Sequence, residues 1–165
     1  MFTDVTSAVL ADTGNALGHA WCDYDQDGDL DLFWANRGQH DRLVRNELPA
    51  GSQWLELDLA GTVSNRSAIG ARVEVLAGTL RQVRRVDGGG GYNSQNALRL
   101  HIGLGAAASA DSIVIHWPSG IVQAMAGVGS RQILTIVEHP QPVGVYLVSL
   151  AAGRERYHQR VARLE

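Results

Sequence analysis

Lysine is absent from this chain of 165 residues, so all 14 basic side chains are arginines, and cysteine occurs once, at Cys22. A single thiol cannot close an intrachain disulfide, which excludes a disulfide scaffold and leaves the redox compartment open. We read Cys22, between Trp21 and Asp23, as a small buried hydrophobe. Positive excess is missing too: the net charge is −3 and the pI about 6.0, without the basic footprint of a nucleic-acid binder. The clusters Arg81, Arg84, Arg85 and Arg154, Arg156, Arg160, Arg163 read as solvated strand faces, with no aromatic platform beside them. No run reaches the ~18–20 apolar residues of a membrane span. Residues 1–20 lack the basic start and hydrophobic core of a signal peptide. Helical periodicity is almost nowhere.

What is present is a core-forming composition, 45% hydrophobic and 19% charged, and one conspicuous motif. From Asp23 to Asp31 the chain reads Asp-Tyr-Asp-Gln-Asp-Gly-Asp-Leu-Asp, five carboxylates in nine residues. Two unit charges about 4 Å apart repel by about 4 kcal/mol at an effective dielectric of about 20, so a cation is expected among them. Oxygen donors at alternate positions suit a hard divalent ion, and we take Asp23, Asp25, Asp27, Asp29 and Asp31 as the candidate calcium ligands. Gly28 falls where such a loop must turn sharply. An EF-hand is excluded, because Trp34 stands where that motif needs its bidentate Glu and the following Leu30-Asp31-Leu32-Phe33-Trp34 reads as a strand.

Short alternating runs broken by Gly, Pro, Asn and Ser predict an all-β protein. Trp54 to Leu59 places Leu55, Leu57 and Leu59 on a buried face and Trp54, Glu56 and Asp58 on a wet one. Strands are also predicted at residues 71–75, 80–86, 98–102, 113–117, 121–125 and 133–137, as in an antiparallel sandwich or barrel. Turns are expected at Ala77-Gly78-Thr79 and Pro118-Ser119-Gly120. The run Gly88 to Gly91 lacks the lysine of a phosphate loop. Gly103-Leu104-Gly105 is read as a strand-end turn rather than a dinucleotide fingerprint, because too few residues follow for a helical crossover. His101 and His116 are expected as exposed or hydrogen-bonded strand residues. His139-Pro140-Gln141-Pro142 marks a boundary, and residues 144–164 a terminal hairpin.

These motifs carry a resemblance. Phe2 to Thr6, Gly18-His19-Ala20-Trp21, the acidic loop and Asp41 to Asn46 resemble an FG-GAP or VCBS repeat, one β-propeller blade. Trp54-Leu55, Gly61-Thr62, Ser64-Asn65-Arg66, Ile69 to Val73, Gly88 to Tyr92 with Ser94-Gln95, His101 to Gly105 and Trp117 to Gly120 resemble the ASPIC and UnbV domain. The last hairpin has a weaker likeness to the end of a C-terminal sorting module. The division expected is a blade-like repeat at 1–48, the ASPIC and UnbV-like β domain at 53–138, and a linker with hairpin at 139–165. The resemblance implies a non-catalytic extracellular or cell-surface protein, with Asp23, Asp25, Asp27 and Asp31 as side-chain ligands and residue 29 giving a backbone oxygen, and with the acidic loop and the all-β pattern the expected function is a calcium-binding binding or adhesion module. One blade cannot close a propeller of about four to eight, so further blades in a longer chain are expected.

An unknown protein or glycan is the expected partner, with no nucleic acid and no membrane span. Two alternatives stand beside this reading. One is an enzyme accessory or hydrolase domain using Tyr92, Ser94 or His101 near the glycine loop. The other is a structural cap that shields the open edge of a propeller.

Overall fold

The structure is a computed structural model that describes residues 7, 10, 11, 14–47 and 51–140, together with the backbone of 146–152 and 155–161. Alternation produces strands throughout, and the described residues contain no helix. The first unit is a three-stranded antiparallel sheet of β1 (Ala16–Cys22), β2 (Asp31–Asn36) and β3 (Arg42–Val44), with the acidic loop joining β1 to β2.

Two sheets follow and face each other. One contains β4 (Gln53–Ala60) between β7 (Leu100–Gly105) and β10 (Gln132–Val137). The other runs in the order β6 (Leu80–Arg85), β5 (Arg72–Ala77), β8 (Ser109–His116) and β9 (Val122–Gly129). Leu55, Leu57, Ile102, Leu104, Leu134 and Ile136 from the first sheet meet Val73, Val75, Ile113, Ile115 and Met125 from the second in one buried cluster. Fully burying each such side chain contributes about 1.5–3 kcal/mol, which makes this cluster the main stabiliser of the module. The result is an open β-sandwich, because the sheets do not close into a barrel among the described residues. Its pairing departs from the expected antiparallel plan in one place: β10 runs parallel to β4, with Leu134 opposite Leu57 and Ile136 opposite Leu59.

The expected turns are present, with Gly120 at φ 90° after Pro118-Ser119. Gly103 and Leu104 belong to β7 itself, where Leu104 is a core residue, and the turn comes after Gly105. Beyond the sandwich, β11 (Tyr146–Ala152) and β12 (Glu155–Val161) pair as the expected antiparallel hairpin. The second proline of the linker, Pro142, and the segment Phe2 to Thr6 lie outside the described residues.

One polar group is built into this fold at high density. Glu138, just past β10, is almost fully buried. Its Oε2 accepts the backbone N–H groups of Thr62, Val63 and Ser64 at 2.9, 2.8 and 2.7 Å, and its Oε1 accepts the hydroxyls of Ser64 and Ser119. Burial by itself would raise the carboxyl. The Ser119 hydroxyl, the N–H groups of Ser64 and Thr62 and the Ser64 hydroxyl together outweigh it and hold the group at about 2.

Candidate metal centre

The acidic loop turns tightly because its first carboxylate caps it. Asp23 Oδ1 accepts the N–H of Asp27 at 3.2 Å and Oδ2 that of Gly28 at 2.9 Å. Gly28 adopts φ 95°, and any Cβ there would overlap the Trp54 indole. The same glycine's carbonyl lies 2.9 Å from His101 Nε2. Gly28 is therefore wedged between two side chains of the sandwich, and the loop is docked on it.

This turn brings Asp23, Asp25 and Asp27 together, with one oxygen from each within 4.8 Å of the others. Oxygens coordinated at about 2.3–2.6 Å around one calcium ion fall within that span, so the donor set fits a hard cation. Asp29 and Asp31 stand apart from the triad, and both are buried. Asp31 accepts the backbone N–H groups of Tyr24 at 3.0 Å and Asn46 at 2.8 Å, which ties the loop to the end of β3. Arg45 supplies the local positive charge, its Nε 2.8 Å from Asp25 and its Nη2 3.5 Å from Asp27.

The face of β4 expected to be wet is covered at its middle residue. Glu56 is only 1% exposed, because the docked loop lies over it. Cys22, Asp23, Leu30, Glu56, Asp58 and Arg99 surround a pocket of about 250 Å³ at this junction. Arg99 bonds Asp58 through Nε and Nη2 at 3.0 and 2.9 Å and reaches Glu56 at 3.3 Å. Burial, with repulsion from Asp23, pushes the Glu56 carboxyl up to about 7 against the pull of Arg99. Cys22 is half-buried rather than buried, since it lines this pocket, and burial followed by the charges of Asp31 and Asp23 raises its thiol.

Of the histidines, His101 is committed to the Gly28 carbonyl and His116 lies 3.3 Å from Glu74. Ser94 pairs with Gly91 across an isolated bridge. Reading the residues as motifs missed Glu138. Alternation nonetheless holds the signal, because Glu138 is in phase with the inward-facing Leu134 and Ile136. A carboxylate on a core face must find donors.

The scaffold under this loop has a family. A family model for ASPIC and UnbV matches residues 61–143, half of the chain. The chain belongs to the ASPIC and UnbV family. No curated protein matches it. The ASPIC and UnbV match contains Thr62, Ser64, Ser119 and Glu138, so motif residues from separate turns meet at one buried carboxylate. The acidic loop lies outside it.

Proposed function

We propose that this protein is a calcium-binding, non-catalytic binding module of the extracellular or cell-surface kind, in which the metal rigidifies the loop docked on the ASPIC and UnbV domain. The convergence of Asp23, Asp25 and Asp27 within 4.8 Å carries the reading. Calcium would take oxygens from these three carboxylates and displace the Arg45 guanidinium that now neutralises two of them. Through Gly28, Trp54 and His101, ordering of the loop reaches the sandwich. Affinity in the range of extracellular modules, about 10⁻⁴–10⁻³ M, is expected.

Calorimetric titration of calcium into chelator-treated protein tests this. Binding that disappears in Asp25→Asn, with a melting temperature that rises with calcium, supports it. Absence of calcium and terbium binding in the folded wild type sinks it.

A second reading, a unit stacked on further propeller blades, is favoured by one observation. Phe33 and Leu43 are cross-strand partners on one face of the first sheet, and they are 38% and 50% exposed. Covering that face with another sheet would remove both from water.

A further inference from the structure

A cleft of about 200 Å³ lies beside the metal loop, which lends it Leu30, and is bordered also by Trp21, Arg84, Arg85, Asp87, Asn96 and His101. The arginine cluster therefore does have an aromatic beside it, supplied from β1 across the junction. Trp21 is 42% exposed, whereas Trp34 and Trp117 are buried. Its exposure is not looseness. The Trp21 N–H donates to Asn96 Oδ1 at 3.0 Å and its carbonyl accepts the Ala97 N–H at 3.1 Å, so both backbone groups are clamped.

Arg84 and Arg85, which line the cleft, have charge to spare. Arg45, Arg72, Arg81 and Arg99 each meet a carboxylate. Arg84 does not: its donors go to the carbonyls of His101 and Val83 and to Gln82 Oε1, at 3.3, 3.2 and 2.6 Å. These bonds fix its position without an ion-pair partner among the described residues. Arg85 meets no carboxylate either among the described residues. Gly89 and Gly90 form part of the rim and add no side chain to obstruct it.

We propose that this cleft binds an acidic saccharide, with one sugar ring against Trp21 and its carboxylate facing Arg84 and Arg85. An indole offers a flat apolar surface to the C–H face of a sugar, and a guanidinium pairs with a planar carboxylate in bidentate fashion. Asp87 and Asn96 add polar groups for ring hydroxyls. The volume suits about one ring, too little for a base, sugar and phosphate together. The nearby acidic loop also disfavours a densely charged polyanion. This assignment rests on the binding-module reading and names its ligand class.

The test titrates the full chain, with calcium present, against galacturonate oligomers and matched neutral galactose oligomers, followed by tryptophan fluorescence and calorimetry. The acidic oligomer is expected to bind about tenfold tighter, the worth of one charge-assisted contact, and to weaken with salt. Trp21→Ala removes binding, and Arg85→Ala, with its circular dichroism unchanged, removes the acidic preference. Equal binding of both oligomers, full affinity in Trp21→Ala, or tighter binding of AMP than of galacturonate overturns the proposal. Calcium binding without saccharide binding sinks the cleft alone, while saccharide binding without any calcium binding sinks the metal reading alone.

Discussion

Replacing Glu138 with Gln keeps the side chain's shape and removes the charge that organises two turns of the sandwich. Five donors converge on this carboxylate, three from consecutive backbone N–H groups of residues 62–64 and two from the hydroxyls of Ser64 and Ser119. In the glutamine, an NH₂ faces groups that are themselves donors. The carboxyl is held at about 2 against an ordinary 4.5, a displacement that corresponds to about 3 kcal/mol of stability at neutral pH. Because the folded value is depressed, this contribution is fully present above pH 4.5 and is lost as pH falls from about 4.5 towards about 2. We expect Glu138→Gln to lower stability by about 3 kcal/mol at pH 7, or about 10–20 °C in melting temperature for a module of this size. The gap to wild type should close on acidification. Urea unfolding followed by tryptophan fluorescence, run from pH 7 to pH 2.5 on both proteins, measures it. A gap under about 1 kcal/mol at pH 7, or one that stays constant across the series, refutes the reasoning.

Gly28→Ala places a Cβ on the Trp54 indole at φ 95° and should cost about 2–4 kcal/mol through strain and overpacking; thermal melts, with loss of hydrogen-exchange protection at the Asp27 amide that caps the loop, check it. Arg45→Ala removes the tethered cation from Asp25 and Asp27. It should tighten calcium binding by about two- to fivefold, the scale of an exposed ion pair, and terbium luminescence competition reads the change.

Much of the fold was legible because the sandwich strands alternate cleanly. Val73 and Val75, Ile113 and Ile115, and Leu134 and Ile136 fall on the core side as period-two reading predicts. Glu56 was misplaced on a wet face for a physical reason: alternation reports which residues share a side, and not whether a second unit covers the other side. Here the acidic loop does, through Gly28 on Trp54. The parallel partnership of β4 and β10 was likewise hidden, since pairing direction depends on the path of the chain between strands rather than on either strand's pattern. Of the candidate site, three aspartates converge, while Asp31 serves the backbone of Tyr24 and Asn46. A spacing cannot say which of the acids come together and which hold the loop's backbone, and Asp23 does both. Trp21 and Arg84 belong to different units, so no local window could place them on one cleft.

The parallel ladder between β4 and β10 also has a mechanical meaning. The chain enters the sandwich at the start of β4 and leaves it at the end of β10, and the two strands run side by side from Leu55 opposite Gln132 to Ala60 opposite Val137. Tension applied between the acidic unit and the C-terminal hairpin therefore pulls these neighbours along their lengths in opposite senses. The rungs are loaded in shear and must yield together, whereas a terminal hairpin would unzip one rung at a time. The donors gripping Glu138 lie at the exit of that ladder, where the pull is applied. Pulled at both ends, the module would resist through this whole ladder at once rather than rung by rung.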